Sequence, residues 1–501
     1  MPARGPVLGL VSFTDPRATA FALRRERYIH SCHEGLKRAL QQRGIRVLDP
    51  QAKLRKGWKQ TFGIRRPDEL QQCLTMLQAG GAQAVVMGCW HWTEPMLPLS
   101  LARDLRSPIA LYAEDDPAWA GSVCLGAVGA SLWEAGISPY ALTHTRFRSD
   151  PDGLARWAHG VCGLHALRHS TLVLWGGSYC LRMEHLQDDI PELKRLLIGD
   201  MLTEGEYILI RAAEAILASA PKRIEAFLKW FTENGGQVQY DKKMATSEAV
   251  RRQVALYLAA RDRLRELAQE GHSIGGVSVR CQPELSEVWA CTGCLLPAFL
   301  PFPVDGEGPQ PVVPTVCEGD IKGLITAVLL HLIAPSTPPL FGDLKYVTDD
   351  LVIISNCGGS SIWYASRSND PAKTLPAIRL AAQCQGAGGA AVGYEGMPGE
   401  LTVARLVRFD REYVMQLGLG RAVPVDRSVR SRIVWGQTWP HIAISLGVSG
   451  EALMAGVGSN HLCAAAGDLT TEIAHACRQA DIPIVRLDSE ESLREFAESG
   501  C

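Results

Sequence analysis

Short apolar runs alternate with amphipathic stretches along the first third of the chain. The predicted strands are residues 6–13, 45–49, 82–89 and 107–113, and the helices predicted between them are 18–43, 67–79 and 120–135. Strands separated by helices predict a parallel, doubly wound α/β sheet. The first strand is not followed by G-x-G-x-x-G, so the pattern does not indicate a dinucleotide site.

A similar alternation begins again near residue 170. An apolar run over 170–180 ends in glycines, and the pattern after it predicts helical stretches over 206–233 and 246–271, a strand at 275–281 and a helix at 287–299. A proline-rich loop then leads into the sequence PTVCEGDIKGLIT. We therefore predict a second α/β domain that ends near residue 345.

Beyond residue 345 the pattern changes to strand-like runs separated by Gly, Pro and Asp. These runs are DLVIISNCGG, GAAVGYEG, ELTVARLVRF, YVMQLGLGRAV and SRIVWGQTWPHIAISLGV. They predict a mostly antiparallel β domain with late helices at 469–480 and 489–498. The predicted domains are residues 1–168, 169–345 and 346–501.

Composition narrows the class of protein. Of the 501 residues, 47% are hydrophobic and 21% are charged, which is typical of globular chains. The formal net charge of −2 comes without a run of one sign, so a nucleic-acid partner is not expected. The first apolar segment is short and lacks a cleavage pattern, and GLITAVLLHLIAP falls short of the ~20 residues of a membrane span. We expect a cytoplasmic protein without a membrane partner.

The cysteines do not resemble a disulfide framework. There are fifteen of them, an odd number scattered along a long chain, so reduced core thiols are expected. The C-x-x-C pair Cys291 and Cys294, with Cys281 upstream, has no second ligand pair of the kind that marks structural zinc. Zinc at these three residues stays open as an alternative.

Three segments combine ligand-type side chains with breaks in the backbone pattern. In CEGD, Glu318 and Asp320 stand between a predicted strand and an apolar helical run, where Asp320 can cap the helix. If the strand reaches Glu318, both carboxylates point past its carboxyl end, where ligands bind in α/β sheets. PLFGD contains Asp343, and GSNH contains Asn460 and His461. Each segment alone is also typical of ordinary turn chemistry.

The order of these segments resembles that in the L-fucose isomerase family. CEGD-x-x-GLIT, then PLFGD, then GSNH followed by AAAGDLTTEIAHAC carry the resemblance, and residues 397–409 and 438–448 look like further family segments in the expected order. Before residue 280 the resemblance depends on GCWHWTEP and LWGGSYCLRM. The family implies two α/β domains followed by a β domain.

The resemblance implies an aldose–ketose isomerase with a divalent metal, typically Mn²⁺, with Co²⁺ or Mg²⁺ as other candidates. Its ligands would be Glu318, Asp343 and His461, and these donor types suit such ions while leaving positions for sugar oxygens. The same resemblance makes Glu318 and Asp343 the acid/base residues that move a proton between neighbouring carbons through an enediol. Asp320 is then expected to be a cap or an outer partner of a ligand.

The resemblance also names residues that would bind the sugar. They are Gln282, Asn460 and Trp90, although Trp92 suits the role equally well and a core aromatic is the alternative for Trp90. An N-terminal arginine is also expected to reach the substrate, and the candidates are Arg17, Arg24, Arg25 and Arg27. The default substrates are L-fucose and D-arabinose, and a modified or acidic hexose is an alternative.

The family further implies a homo-oligomer, a hexamer or an assembly based on trimers, in which the site lies between subunits. Two other functions remain open for this sequence. One is a non-catalytic sugar-binding or regulatory protein on the same fold. The other is a zinc-dependent hydrolase or redox protein that uses Cys281, Cys291 and Cys294.

Overall fold

The computed structural model describes residues 5–17, 19–349, 351–384 and 387–499. The chain separates into two units. The N-terminal unit reaches His165 and includes Thr471–Asp481, and the C-terminal unit contains Ala166–Thr470 and the residues from Ile482 onward. Each unit is described by itself below.

The N-terminal unit is built on a parallel sheet of five strands in the order β2-β1-β3-β4-β5. The strands are β1 (Val7–Ser12), β2 (Arg46–Leu48), β3 (Ala84–Gly88), β4 (Ile109–Ala113) and β5 (Thr145–Arg148). The helices are α1 (Ala22–Gln42), α2 (Pro50–Leu54), α3 (Pro67–Gly80), α4 (Met96–Leu105), α5 (Gly121–Ala135), α6 (Pro139–Leu142) and α7 (Pro151–Leu167).

Alternate residues along the strands of this sheet are buried in two different hydrophobic clusters. Val85 and Met87 of β3 pack with residues of α3, α4 and α5. Ala84 and Val86 of the same strand pack with residues of α1 and α7. Because successive strand residues point to opposite faces, helices cover both faces of the sheet. The predicted doubly wound fold is confirmed.

A second parallel sheet has the strand order β12-β9-β6-β7. The strands of this part of the chain are β6 (Thr171–Trp175), β7 (Asp200–Glu204), β8 (Gln237–Val238), β9 (Ile274–Val279), β10 (Val304–Asp305), β11 (Gly308–Pro309) and β12 (Thr315–Cys317). Its helices are α8 (Ile190–Leu196), α9 (Tyr207–Ser219), α10 (Pro221–Glu233), α11 (Ser247–Gln269), α12 (Leu295–Phe299) and α13 (Ile321–Ile333).

The rest of the chain is mostly antiparallel, as predicted. Its strands are β13 (Leu340–Val347), β14 (Val352–Ser355), β15 (Arg379–Ala382), β16 (Ala390–Gly393), β17 (Gly399–Phe409), β18 (Glu412–Val423), β19 (Ile442–Ser445), β20 (His461–Ala466) and β21 (Ile484–Arg486). Its helices are α14 (Pro371–Thr374), α15 (Arg427–Arg430), α16 (Gly450–Gly456) and α18 (Glu490–Glu498), whereas α17 (Thr470–Ala480) falls almost wholly in the N-terminal unit.

The large sheet of this region has the order β17-β20-β13-β14-β19-β18-β21. Because β17 also pairs with β18, the strands from β17 to β18 close into a barrel. Residue 345, where the second predicted domain ends, lies inside β13. The division into three domains stays a prediction.

Several local predictions differ from the structure. The helical stretch 206–233 is two helices, because Pro221 lacks the N–H that a continuous helix needs. The helix predicted over 287–299 forms only at Leu295–Phe299, after a π turn at Glu284–Val288. The strand predicted over 431–448 is limited to β19.

The apolar pattern does not predict strands β5 and β7. Both lie at sheet edges, and each has one buried residue, so they lack a continuous apolar run. Among the described residues, the structure contains no helix that is both long enough and apolar enough to cross a membrane.

Glu206 is a deeply buried carboxyl group in the C-terminal unit. It lies between β7 and α9, is 3% exposed, and has carboxylate oxygens with no hydrogen-bond partner among the described residues. Burial, together with the nearby Cys281 and Glu284, raises the pKa of Glu206 to about 9. Its carboxyl group is therefore protonated in the folded protein at neutral pH.

We expect Glu206→Gln to abolish part of the pH dependence of stability. Between the ordinary pKa of about 4.3 and the folded value, the folded protein holds a proton that the unfolded chain has lost. Stability therefore falls by about 1.4 kcal/mol per pH unit as pH rises in this window. Urea unfolding from about pH 6 to about pH 8 should show a shallower slope in the variant.

The matched control is Glu214→Gln, on the exposed face of α9. It should keep the wild-type slope because its side chain is in solvent. Equal slopes in wild type and Glu206→Gln would contradict the assigned protonation of Glu206.

Candidate metal centre

Glu318 is placed by a tight turn at the carboxyl end of β12. Glu318 and Gly319 both have left-handed backbone conformations, with φ of +65° and +66°. The Cys180 N–H donates to the Glu318 carbonyl at 2.8 Å. A Cβ on Gly319 would lie 2.8 Å from the Gly177 carbonyl oxygen, so only glycine fits there. The turn ends the strand at Cys317 and buries the Glu318 side chain.

Asp343 and His461 are brought together by strand pairing. They are direct cross-strand partners on β13 and β20, and such partners have their side chains on the same face. His461 Nε2 lies 3.3 Å from Asp343 Oδ1 and 3.4 Å from Glu318 Oε2. One ligand atom from each of the three residues lies within 4.8 Å of the others. The structure thus assembles the three predicted metal ligands.

The imidazole of His461 is oriented for a cation. Its Nδ1 donates to Asp320 Oδ2 at 2.8 Å, since a carboxylate can only accept. Its Nε2 is buried and has no hydrogen-bond partner within the described part of the chain, although two carboxylates face it. A buried ring nitrogen without a partner, opposed by two carboxylate oxygens, fits a divalent metal.

Asp320 fulfils both of its predicted roles. As the residue that caps α13, it accepts a hydrogen bond from the Gly323 N–H at 2.8 Å. As an outer partner, it accepts from His461 and forms a bidentate pair with Arg405 at 2.5 and 3.1 Å. Burial opposes ionisation of Asp320, but the charges of Arg405 and His461 outweigh it and hold its pKa below the ordinary range.

The same charges make the centre attractive to a positive ion. Burial disfavours the charged form of His461, but its hydrogen bond to Asp320 and the facing carboxylates of Asp343 and Glu318 outweigh it and raise its pKa well above the ordinary value. Burial also opposes ionisation of Glu318, yet its contact with His461 keeps the Glu318 pKa low. Three carboxylates around one imidazole therefore create a site that favours a bound cation.

Several partners of these residues were missed by sequence reasoning. Arg405 lies in the middle of β17, where a fully buried arginine in the apolar run LTVARLV could have signalled a buried acid. Cys357 donates to Glu318 Oε1 at 3.2 Å. His185 shares a hydrogen bond of 2.7 Å with Asn460, but nothing in its local sequence indicates this contact.

Two of the predicted sugar-binding residues lie close to the centre. The Asn460 amide donates to Asp343 Oδ1 at 3.0 Å, so it orients a predicted ligand. Gln282 lines a small cavity together with Cys281, Cys317 and other residues. Whether either residue contacts a sugar stays a prediction.

Trp90 lies in the N-terminal unit and is fully buried. Its indole N–H donates to Ser12 Oγ at 2.7 Å, and its ring packs edge-on against Tyr112. This environment fits the alternative of a core aromatic, and a contact between Trp90 and a sugar stays a prediction. Trp92, the other candidate, is partly exposed.

The four candidate arginines differ in exposure. Arg25 is buried and donates to the Asp15 carbonyl and to Glu26. Arg17 pairs with the Asp15 side chain but is largely exposed, and Arg24 and Arg27 are also exposed. A substrate contact by one of these arginines stays a prediction.

A cation beside aromatic rings lies on the strand that carries Asp343. Lys345 Nζ is 5.0 Å from the ring centre of Trp435 and 4.7 Å from that of Trp439. Trp435 is 58% exposed, which is unusual for so large an apolar side chain. Burial lowers the pKa of Lys345, and the charges of Cys384 and Asp343 oppose that change.

The alternative zinc set is not assembled in the structure. Cys291 donates to the Ala249 carbonyl and Cys294 to the Cys357 carbonyl. Among the described residues, the groups that could hold a metal do not include Cys291 or Cys294.

The fold consists of two parallel sheets with their helices, followed by a closed antiparallel barrel. Two carboxylates and an imidazole lie together at the barrel. The protein is therefore an α/β protein with a candidate metal centre. Residues 354–488 match the family model described as L-fucose isomerase, C-terminal domain. This match confirms the resemblance of the motifs to the L-fucose isomerase family in that part of the chain, and it supports a sugar isomerase. The matched range includes Asn460 and His461.

Other comparisons add little. No curated protein sequence matches the chain. One similar solved structure is the periplasmic binding protein component of the arabinose ABC transporter from Shewanella sp. ANA-3, bound to α- and β-L-arabinofuranose. It is 12% identical over 57% of this chain and 77% of that one, with a TM-score of 0.14, which carries no argument.

We expect Asp320→Asn to weaken Mn²⁺ binding about 10–100-fold, because an outer partner that fixes a histidine ligand typically contributes this much. The neutral amide also leaves Arg405 without its carboxylate partner. Titration followed by Mn²⁺ electron paramagnetic resonance measures the affinity.

The control is Asp370→Asn, which removes the exposed cap of α14 in the same unit. It should leave the Mn²⁺ affinity unchanged. A folded Asp320→Asn protein with wild-type affinity would exclude Asp320 as the residue that orients His461.

Proposed function

We propose that the protein is a metal-dependent aldose–ketose isomerase that acts on an open-chain sugar by proton transfer through an enediol. The observation that carries this proposal is the buried His461 Nε2, which has no hydrogen-bond partner in the described residues and faces Glu318 and Asp343. The family match over residues 354–488 supports the same class of reaction.

Glu318, Asp343 and His461 are the residues that would hold the ion. Two carboxylates and one imidazole suit Mn²⁺, and Co²⁺ and Mg²⁺ are the other candidates. A bound divalent ion would supply Lewis acidity, which polarises the sugar carbonyl and stabilises the negative charge that develops beside it.

The two carboxylates are also the proposed acid/base groups. Isomerisation removes a proton from one of two neighbouring carbons and returns a proton to the other, so a carboxylate near the C1–C2 bond is required. Cys357 holds one oxygen of Glu318, and Asn460 holds one oxygen of Asp343. These hydrogen bonds fix the orientation of both carboxylates before a substrate arrives.

Sugar recognition is assigned to Gln282, Asn460 and Trp90, with an N-terminal arginine as a further contact. The proposed substrates are sugars like L-fucose and D-arabinose. A modified or acidic hexose is the other class, and Lys345, beside Asp343 in β13, provides a cation for such a group.

We further propose a cytoplasmic homo-oligomer, hexameric or based on trimers. The N-terminal part of one subunit would complete the site of its neighbour. This assembly would bring Trp90 and an exposed arginine to a substrate held at the metal centre of another subunit.

The proposal predicts that metal-loaded protein converts an aldose from a panel of pentoses and deoxyhexoses into the ketose. Chelation with EDTA should abolish turnover, and Mn²⁺ should restore it. Glu318→Gln should lower kcat by about 10²–10⁴-fold, because it removes both a metal ligand and an acid/base group. Ketose formation is followed by chromatography.

Glu412→Gln, at an exposed position of β18, is the matched control and should keep full activity. Undiminished turnover by Glu318→Gln would contradict the proposed chemistry. Saturable sugar binding without turnover by the metal-loaded wild type would favour a non-catalytic sugar-binding protein instead.

A further inference from the structure

Glu318 presents its two carboxylate oxygens to two different groups of side chains. Oε2 faces His461 Nε2 at 3.4 Å, within the centre described above. Oε1 accepts a hydrogen bond from Cys357 Sγ at 3.2 Å. Ligand atoms of Cys317, Glu318 and Cys357 also lie within 4.8 Å of one another. One carboxylate therefore belongs to two clusters, of which the second is rich in sulfur.

The fold brings the thiols of Cys317 and Cys357 to this second cluster and places Cys281 on the cavity that adjoins it. Cys317 is the last residue of β12, and it is paired in register with Val279, the last residue of β9. Cys281 follows Val279 by two residues, so both cysteines lie at the carboxyl end of the same sheet. Cys357 follows β14, and Cys281, Cys317 and Cys357 all line the same small cavity.

A small cavity borders the three thiols. Its volume is about 20 Å³, which is room for one water molecule or one ion. Cys281, Cys317 and Cys357 line it, and the side chains of Asn356 and Gln383 add polar atoms to its wall. A cation could therefore be seated against the thiols without displacing the surrounding core.

We propose that Cys281, Cys317 and Cys357, with Glu318 Oε1, form a second metal site for a thiophilic divalent cation such as Zn²⁺. Ligand atoms of Cys317, Cys357 and Glu318 already lie together, and Cys281 on the wall of the adjoining cavity would supply the fourth of the ligands that zinc takes in closed sites. Binding converts the thiols to thiolates and releases their protons to the solvent. Thiolate ligands select zinc over Mn²⁺, whereas the neighbouring carboxylate and imidazole set suits the harder ion.

Occupation of this site would act on the first centre through the shared carboxylate. Zinc on Oε1 would withdraw negative charge from Glu318 and place a second cation beside the first. Zinc is therefore expected to inhibit the isomerase, a consequence that rests on the proposed function. The binding site itself does not rest on it.

The test uses the reduced full-length protein with one equivalent of Zn²⁺ and X-ray absorption at the zinc edge. We expect sulfur neighbours at about 2.3 Å in the wild type. Cys317→Ser and Cys357→Ser should each lower the number of sulfur neighbours and bind zinc at least about tenfold more weakly, since even an outer partner of a ligand contributes that much.

Cys294→Ser is the matched control, because Cys294 lines the same cavity but bonds to Gln383 and to the Cys357 carbonyl. It should keep the sulfur signal and the zinc affinity. Circular dichroism establishes that each variant is folded, and Cys281→Ser replaces a variant that does not fold.

A zinc ion with only nitrogen and oxygen neighbours in the wild type would overturn the proposal. So would an undiminished number of sulfur neighbours in the folded ligand variants. Both readouts are independent of sugar turnover, so a protein without isomerase activity can still confirm the zinc site, and an active isomerase can still refute it.

Discussion

The structure around the candidate centre depends on one buried carboxylate, that of Asp320. It accepts hydrogen bonds from the first turn of α13, from Arg405 on β17 and from His461 on β20, and neither Asp320 nor Arg405 is exposed to solvent. An unpaired charge at this depth would be strongly destabilising, by about 3–5 kcal/mol. Asp320 therefore requires both Arg405 and His461 as partners. Its contacts with them hold the barrel strands β17 and β20 against the carboxyl end of β12.

This constraint determines the chemistry of the neighbouring residues. With Nδ1 of His461 bonded to Asp320, only Nε2 can face Glu318 and Asp343. The left-handed turn at Glu318 and Gly319 separates the two acids of the CEGD sequence, so that one faces the centre and the other supports it. The other oxygen of Glu318 accepts a hydrogen bond from Cys357 and gives the sulfur-rich cluster its carboxylate.

Much of this arrangement can be predicted from the sequence. Strong apolar periodicity correctly indicates β1, α3, α5 and the late helices, and the resemblance of the motif order to the L-fucose isomerase family names Glu318, Asp343 and His461 as one set. Edge strands such as β5 are not predicted, because few of their side chains are buried and the apolar pattern is therefore weak. The contacts of Arg405 and Cys357 are not predicted either, because they join residues far apart in the chain and no local pattern records which strands become neighbours. A motif can also suggest a role that burial does not favour: Trp90 is predicted to bind the sugar, but it lies deep in a core.

The most direct test of this account is anomalous X-ray diffraction from crystals of the full chain grown with Mn²⁺. We expect a strong anomalous peak within coordination distance of Glu318 Oε2, Asp343 and His461 Nε2, with Nδ1 of His461 still bonded to Asp320. Crystals that contain Mn²⁺ at other positions, with these three residues paired to one another or to water instead, would contradict it.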